Sequence, residues 1–325
     1  MFDVKGGLRQ ECVMTPWIFN LYIGDIVRRM NREGKGAKLR NGGEHEEVNV
    51  LLFADDTVII AESEEELREL VSEFERECEM KGLKVNIGKT KTMKVGEERM
   101  DNREILDLRI RGEGVENVRK FKYLGVELME NGGMEEEVEH RMAEASRVIG
   151  ALREIFKKGV SREVKMRLYE SIFVPTVLYG CESWVLNAKV RKKIEVVEMR
   201  ILRDIANVRR IDRIRNARVR EMCGCSASLE GIMERRILVW FGHVTRMNQE
   251  RLVKYVMGAE VGGERGVGRP RKRWLDGVKE IIEEMGFSLE ICEEFAEDRQ
   301  GWRNGIYEEM KRREQVLGRM VRVGA

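Results

Sequence analysis

A chain of 325 residues holds two domains, or one large domain with a helical extension. Hydrophobic residues make up 42% of it, enough to fill a core and to exclude global disorder, while 36% are charged and only three are proline. That balance predicts long helices with solvated faces and strands in a few places, and a net charge of +2 identifies no partner. Six scattered cysteines exclude a disulfide framework and fit a reducing compartment. With neither a signal peptide nor a run of ~18 apolar residues, the expectation is an intracellular protein, nuclear or cytoplasmic, without a membrane span.

In chain order, Met1-Phe2-Asp3-Val4 reads like the inside of a strand without a lead-in. Thr15 is a good N-cap and Pro16 suits the first helical position, so WIFNLYIGDIVRRM is a helix. Its apolar residues lie on more than one face, which predicts that it is largely buried. Residues 31–47, glycine-rich and charged, read as a loop. VNVLLFADDTVIIAE then places two apolar strand-like runs around Ala54-Asp55-Asp56, a β-hairpin with two carboxylates at its tip. Ser63 and Glu66 form a capping box for a helix to about Met80, with Leu67, Leu70, Val71, Phe74 and Cys78 as its apolar stripe and Gly82 as its stop.

LKVNIGKTKTMKVG and RKFKYLGVELME read as short strands with turns. From Met134 the periodicity becomes helical: Met134, Val138, Met142, Ala145, Val148, Ile149 and Leu152 mark one long helix, and another starts near Ser161. The pattern continues through 190–210, 227–247 and 275–311, with glycine breaks near 224 and 258–268. Asn131-Gly132-Gly133 marks a domain boundary.

Charge is unevenly spread. Residues 62–79 hold nine glutamates against two arginines. Between Lys189 and Arg220, twelve Lys/Arg stand against four Asp/Glu, and RGVGRPRKRW spans Arg265 to Trp274. Such basic runs attract phosphate backbones, or else merely solvate a helix face.

Adjacent aspartates at the end of an apolar hairpin repel one another. A bound divalent cation relieves that repulsion, because hard oxygen ligands suit Mg²⁺; the plainer reading is an exposed turn started by Asp. The neighbours decide between them. GLRQECVMTPWIFNLYI, LLFADDTVII, GLKVNIGKTKTMKV and FKYLGVEL resemble, in order and spacing, the later palm motifs of reverse transcriptases, most closely those of non-LTR retrotransposons. YGCESW, RRILVWFGHVTRM and GRPRKRWLDGVKE resemble the thumb and C-terminal extension of arthropod-type elements.

The resemblance implies an α+β fold: a palm remainder over 1–131, a helical thumb over 132–220 and a basic helical extension over 221–325. It implies an RNA-directed DNA polymerase that joins dNTP to a primer 3′-OH on an RNA template, using two Mg²⁺ ions. Asp55 would be the principal metal ligand and Asp56 its companion. Gln10, Thr15, Pro16 and Lys89 would line the nucleotide and template pocket, although Lys89 also reads as a surface lysine at a strand end. Phe121, Tyr123, Leu124 and Gly125 would form the primer grip, a role compatible with an ordinary buried strand. Arg209, Arg210, Arg269, Arg271, Lys272 and Arg273 would contact nucleic acid.

Two departures from the family are expected to matter. Its members carry another aspartate several dozen residues before the GLRQ block, whereas this sequence starts six residues before Gly7, so truncation is the expectation, with Asp3 too close to substitute. Glu11 stands where the family usually has glycine, and would repel and obstruct a triphosphate. Little or no polymerase activity is expected of the polypeptide alone, and a noncatalytic RNA- or DNA-binding remnant is the alternative. Among other candidates, Cys223-x-Cys225 with His243 offers zinc ligand types without an evident fourth ligand, and His243 reads equally as a core or surface residue. Gly268-Arg269-Pro270 resembles an AT-hook core, a nuclear localisation signal or a phosphate contact. Trp240, Phe241, Trp274 and Trp302 suit base stacking or helix packing.

Overall fold

The computed structural model describes residues 14–31, 34–96, 106–225, 227–259 and 272–323. They form an α+β protein of two compact units, the first running to Phe121 and including Gly258 and Ala259, the second beginning at Lys122.

The first unit opens with α1 (Thr15–Met30). Thr15 is its first residue rather than its cap: Met14 holds the cap position without a side-chain bond, and Pro16 sits in the first turn, where a missing N–H costs nothing. The helix is also not largely buried. Ile23, Ile26 and Met30 form one inward stripe, while Trp17 and Leu21 are about 70% exposed. A single-sided contact hides one stripe, and no described element covers the other apolar face.

The expected loop over 31–47 is instead a hairpin of β1 (Ala37–Asn41) and β2 (Glu44–Val48). Gly42 and Gly43 supply the two positive-φ residues of its turn, a signal masked by the charged composition around it. β3 (Val50–Phe53) and β4 (Asp56–Ile59) pair antiparallel, with Phe53 opposite Asp56.

Next comes α2 (Glu64–Met80), whose first N–H groups are capped by Ser63: Glu66 N–H donates to Ser63 Oγ at 3.1 Å. The Glu66 carboxylate accepts from Gly36 N–H at 2.8 Å and Glu62 N–H at 3.0 Å, tying the β1 approach to the helix start. These backbone donors, Gly36 foremost, hold its carboxyl below the ordinary glutamate range. Gly82, at φ +68°, ends the helix, and Leu83 N–H closes back on Cys78 O. Ile23, Ile26 and Met30 of α1, Val50 of β3 and Leu70, Phe74 and Cys78 of α2 share one core. The α2 helix thus positions both α1 and the carboxylate hairpin.

Over 83–96 the expected strands shrink to β5 (Lys91–Thr92). The preceding segment is a turn because Asn86 accepts, through Oδ1 and its carbonyl, from the N–H groups of Lys89 and Thr90. β6 (Arg109–Ile110) and β7 (Glu113–Gly114) pair antiparallel, and β8 (Glu116–Asn117) lies parallel to β5.

β9 (Lys120–Tyr123) and β10 (Val126–Met129) form the hairpin that leads into the second unit. Seven α-helices frame most of its core: α3 (Glu135–Phe156), α4 (Arg162–Leu168), α5 (Val174–Val177), α6 (Ala188–Ala206), α7 (Asn216–Cys223), α8 (Leu229–Thr245) and α9 (Leu252–Gly258), the last residue of which belongs to the first unit. A π-turn over Tyr169–Phe173 joins α4 to α5, where Pro175 has no N–H for the regular ladder. The periodic stretch 275–311 resolves into three helices, α10 (Trp274–Glu284), α11 (Leu289–Ala296) and α12 (Arg299–Val323): Gly286 at φ +82° and the Ser288 cap separate the first two, and Asp298 Oδ1 accepts Gln300 N–H at the start of the third. Trp184, Phe173 and Phe241 are among the largest fully buried side chains of this core.

Candidate active site

Asp55 and Asp56 stand at the tip of the β3–β4 hairpin, both exposed. The turn is a two-residue loop of Ala54 and Asp55, and Asp56 is the first residue of β4. Ala54 adopts φ +53°, a left-handed conformation that is costly for a residue with a Cβ. Strain of this kind gathers at functional sites, where the surrounding strands impose it. The pair offers hard oxygen donors suited to Mg²⁺. Among the described residues no group of three or more His, Cys, Asp or Glu converges as a metal site, so Asp55 and Asp56 stand there as a pair.

The other expected pocket residues are placed unevenly. Gln10 and Glu11 lie outside the described residues, Thr15 opens α1, and Pro16 is exposed on its first turn. Lys89 is exposed on the Asn86 turn. Arg29 of α1 reaches Glu77 of α2 at 3.1 Å and Lys81 reaches Asp25 at 3.3 Å, so these charges steady the helix pair beneath the hairpin. The Lys81 ammonium, by hydrogen bond and charge, holds the Asp25 carboxyl below its ordinary value.

The β9–β10 hairpin has the second tight turn. Leu124 (φ +48°) and Gly125 (φ +83°) are its two loop residues, a pairing of positive φ values that matches the twist of the flanking strands. Phe121 and Tyr123 are half-buried in β9. This loop is clamped. Tyr179 Oη donates to Leu124 O at 2.9 Å, and Arg141 Nη2 donates to Gly125 O. Arg141 also donates through Nε to Glu137 at 2.6 Å, and the other Glu137 oxygen accepts Glu127 N–H at 2.8 Å. The Arg141 guanidinium lies 4.8 Å from the Tyr179 ring centre. Sequence reading missed Glu137, Arg141 and Tyr179; the only local signal is the i, i+4 spacing of the first two.

Five of the twelve cations of the basic run over 189–220 are taken into ion pairs by the fold. Arg191 pairs with Glu230 and Glu234, Lys192 with Glu195, Lys193 with Glu139, Arg218 with Glu221 and Arg220 with the buried Glu198. Arg209 and Arg210 remain exposed at a short 3₁₀ turn. Arg269 and Arg271, with the rest of the AT-hook-like core, lie outside the described residues. Lys272 donates to Leu186 O and Glu280, and Arg273 N–H is capped by Asp276 at 2.8 Å.

The zinc candidate does not assemble among the described residues. Cys223 Sγ donates to Leu202 O at 3.3 Å, and burial pushes the thiols of Cys223 and Cys225 up to about 11 and about 12. Of the four aromatics, Phe241 and Trp302 are core residues, the latter donating to Leu238 O at 2.9 Å, and Trp274 donates to Glu182 O at 2.8 Å. Trp240 is only half-buried.

Comparison with known proteins fits this geometry. Residues 2–128 match the reverse transcriptase (RNA-dependent DNA polymerase) family, a stretch that contains the carboxylate hairpin and most of β9–β10. A transposon-derived protein of Caenorhabditis elegans is 23% identical over 262 residues, covering 78% of this chain and 92% of that protein. No solved structure matches significantly. Residues 2–128 thus resemble a reverse transcriptase domain, and the relative that spans most of this chain is a transposon-derived protein. Members of the matched family are RNA-dependent DNA polymerases. Among the described residues no helix is long and apolar enough to cross a membrane.

Proposed function

We propose that this chain derives from the RNA-directed DNA polymerase of a non-LTR retrotransposon, with residues 1–131 as the palm remainder, 132–220 as the helical thumb and 221–325 as the basic helical extension. The observation that carries this reading is the exposed Asp55-Asp56 tip, held in a strained two-residue turn within the matched family region. In it, Asp55 is the principal Mg²⁺ ligand and Asp56 its companion. Mg²⁺ bound there supplies charge stabilisation to the oxygens of nucleotidyl transfer. Gln10, Thr15 and Pro16 line the nucleotide and template pocket, and Lys89 offsets charge on the triphosphate. Phe121, Tyr123, Leu124 and Gly125 hold the primer 3′ end, and the Arg141–Tyr179 clamp keeps their turn rigid enough to orient it.

Residues 1–325 on their own are proposed to extend primers poorly. Glu11 stands where the resembled family usually has glycine, and a carboxylate there would repel a triphosphate. A noncatalytic nucleic-acid-binding role is the second reading, favoured by a group of arginines without carboxylate partners in the second unit. Primer extension on an RNA template with Mg²⁺ separates the two. Extension lost in Asp55→Asn supports the polymerase, and template binding without extension supports the remnant.

A further inference from the structure

Gly242 on α8 faces Trp302 of α12, and a Cβ at that position would run into the indole. The missing side chain lets α12 lie close against α8. That approach brings Arg299 and Arg303, from the start of α12, beside Arg235 and Arg236 of α8 and Arg246 just past its end. The five line a cavity of about 600 Å³ together with Trp240 and His243, whose ring centres lie 5.4 Å apart, and Glu182 is the carboxylate in that lining. Among the described residues none of the five arginines joins an ion pair. Arg236 donates to Leu178 O at 3.0 Å, Arg246 donates to Ala296 O, and Arg235 lies over the Tyr307 ring. The side chains of Arg299 and Arg303 are exposed.

We propose that this cavity binds single-stranded nucleic acid, the arginines holding phosphates and Trp240 stacking an unpaired base. The inference rests on the nucleic-acid reading above and adds a site to it. Clustered guanidinium groups repel one another unless an anion bridges them, and their planar forks match phosphate oxygens two at a time. The half-buried indole inside the concavity adds a preference for a flat apolar face. A duplex keeps its bases stacked inside and offers no such face; a single strand does. The volume falls in the range of pockets that enclose small ligands, enough to admit a base with its neighbouring phosphates.

Fluorescence anisotropy of the full chain with a labelled single-stranded RNA of about twelve nucleotides tests the site. The Arg299→Ala/Arg303→Ala double variant is expected to bind tenfold or more weakly. Its log–log salt slope should fall by about 1.4, from roughly 0.7 per phosphate contact on a single strand. Trp240→Ala should weaken binding about fivefold or more, with Trp240→Phe recovering most of the loss. Thermal melts matching the parent show that these variants fold. Parent-like affinity and salt slope in the double variant would overturn the site while leaving nucleic-acid binding by the chain intact. Equal affinity for a duplex of the same sequence, for a mononucleotide or for an acidic peptide would also overturn it. Absence of binding by the parent chain overturns the site and the remnant reading together, whereas the polymerase reading is judged separately by primer extension.

Discussion

At the tip of the β3–β4 hairpin, Ala54 and Asp55 turn in solvent, while at the tip of β9–β10, Leu124 and Gly125 turn against Tyr179 and Arg141. Both loops have two residues, and both place a non-glycine residue at positive φ. What differs is the surrounding structure. The first turn presents carboxylates and receives no clamp from side chains described around it. The second presents only backbone and is fastened by one hydrogen bond to each loop carbonyl. A ligand-binding tip must leave its oxygens open, whereas a tip that orients another molecule gains from being unable to move.

This contrast can be broken from either side. Arg141→Ala should have the largest effect, a loss of about 3–5 kcal/mol in urea unfolding, because it strands the fully buried Glu137 carboxylate and frees Gly125 O. Gly125→Ala comes next. Its Cβ would meet the Tyr179 ring at 3.0 Å and would have to adopt φ +83°, so about 1–3 kcal/mol should be lost in the same measurement. Tyr179→Phe removes a single hydrogen bond to Leu124 O from a half-exposed residue and should cost about 0.5–1 kcal/mol.

The open turn should respond in the opposite way. Ala54→Gly is expected to raise stability by roughly 0.5 kcal/mol, since relief of ~1–2 kcal/mol at φ +53° outweighs ~0.5–1 kcal/mol of added chain entropy. Asp55→Asn, exposed and unpaired with any described cation, should leave the unfolding midpoint within about 0.5 kcal/mol of the parent. Destabilisation by Asp55→Asn comparable to that of Arg141→Ala would mean that the first hairpin is clamped after all, and the contrast would fall.

The basic residues repeat the lesson over longer distances. The run over 189–220 is conspicuous in the sequence, yet five of its twelve cations are taken up in ion pairs such as Arg220–Glu198 and Arg191–Glu234. The arginines around Trp240 form no run, yet the fold gathers them without carboxylate partners. Counting charge along a chain locates the first kind of patch and misses the second, because pairing partners and neighbours across helices are set by packing.

Local chemistry was legible in the sequence wherever it is settled within a few residues. Ser63 capping α2, Gly82 stopping it, the stripe Leu70-Val71-Phe74-Cys78 and the hairpin around Asp55 all follow from short-range sterics and a hydrophobic period. The β1–β2 hairpin was equally local, but its Gly42-Gly43 signal lay inside a charged stretch that reads as a loop. Tertiary structure alone decided that α1 buries a single stripe, that Arg141 and Tyr179 fasten the Leu124-Gly125 turn, and that Gly242 allows α12 to bring Arg299 and Arg303 beside Trp240. Each of these depends on contacts between residues distant in the chain, and their free energy arises only when the elements meet.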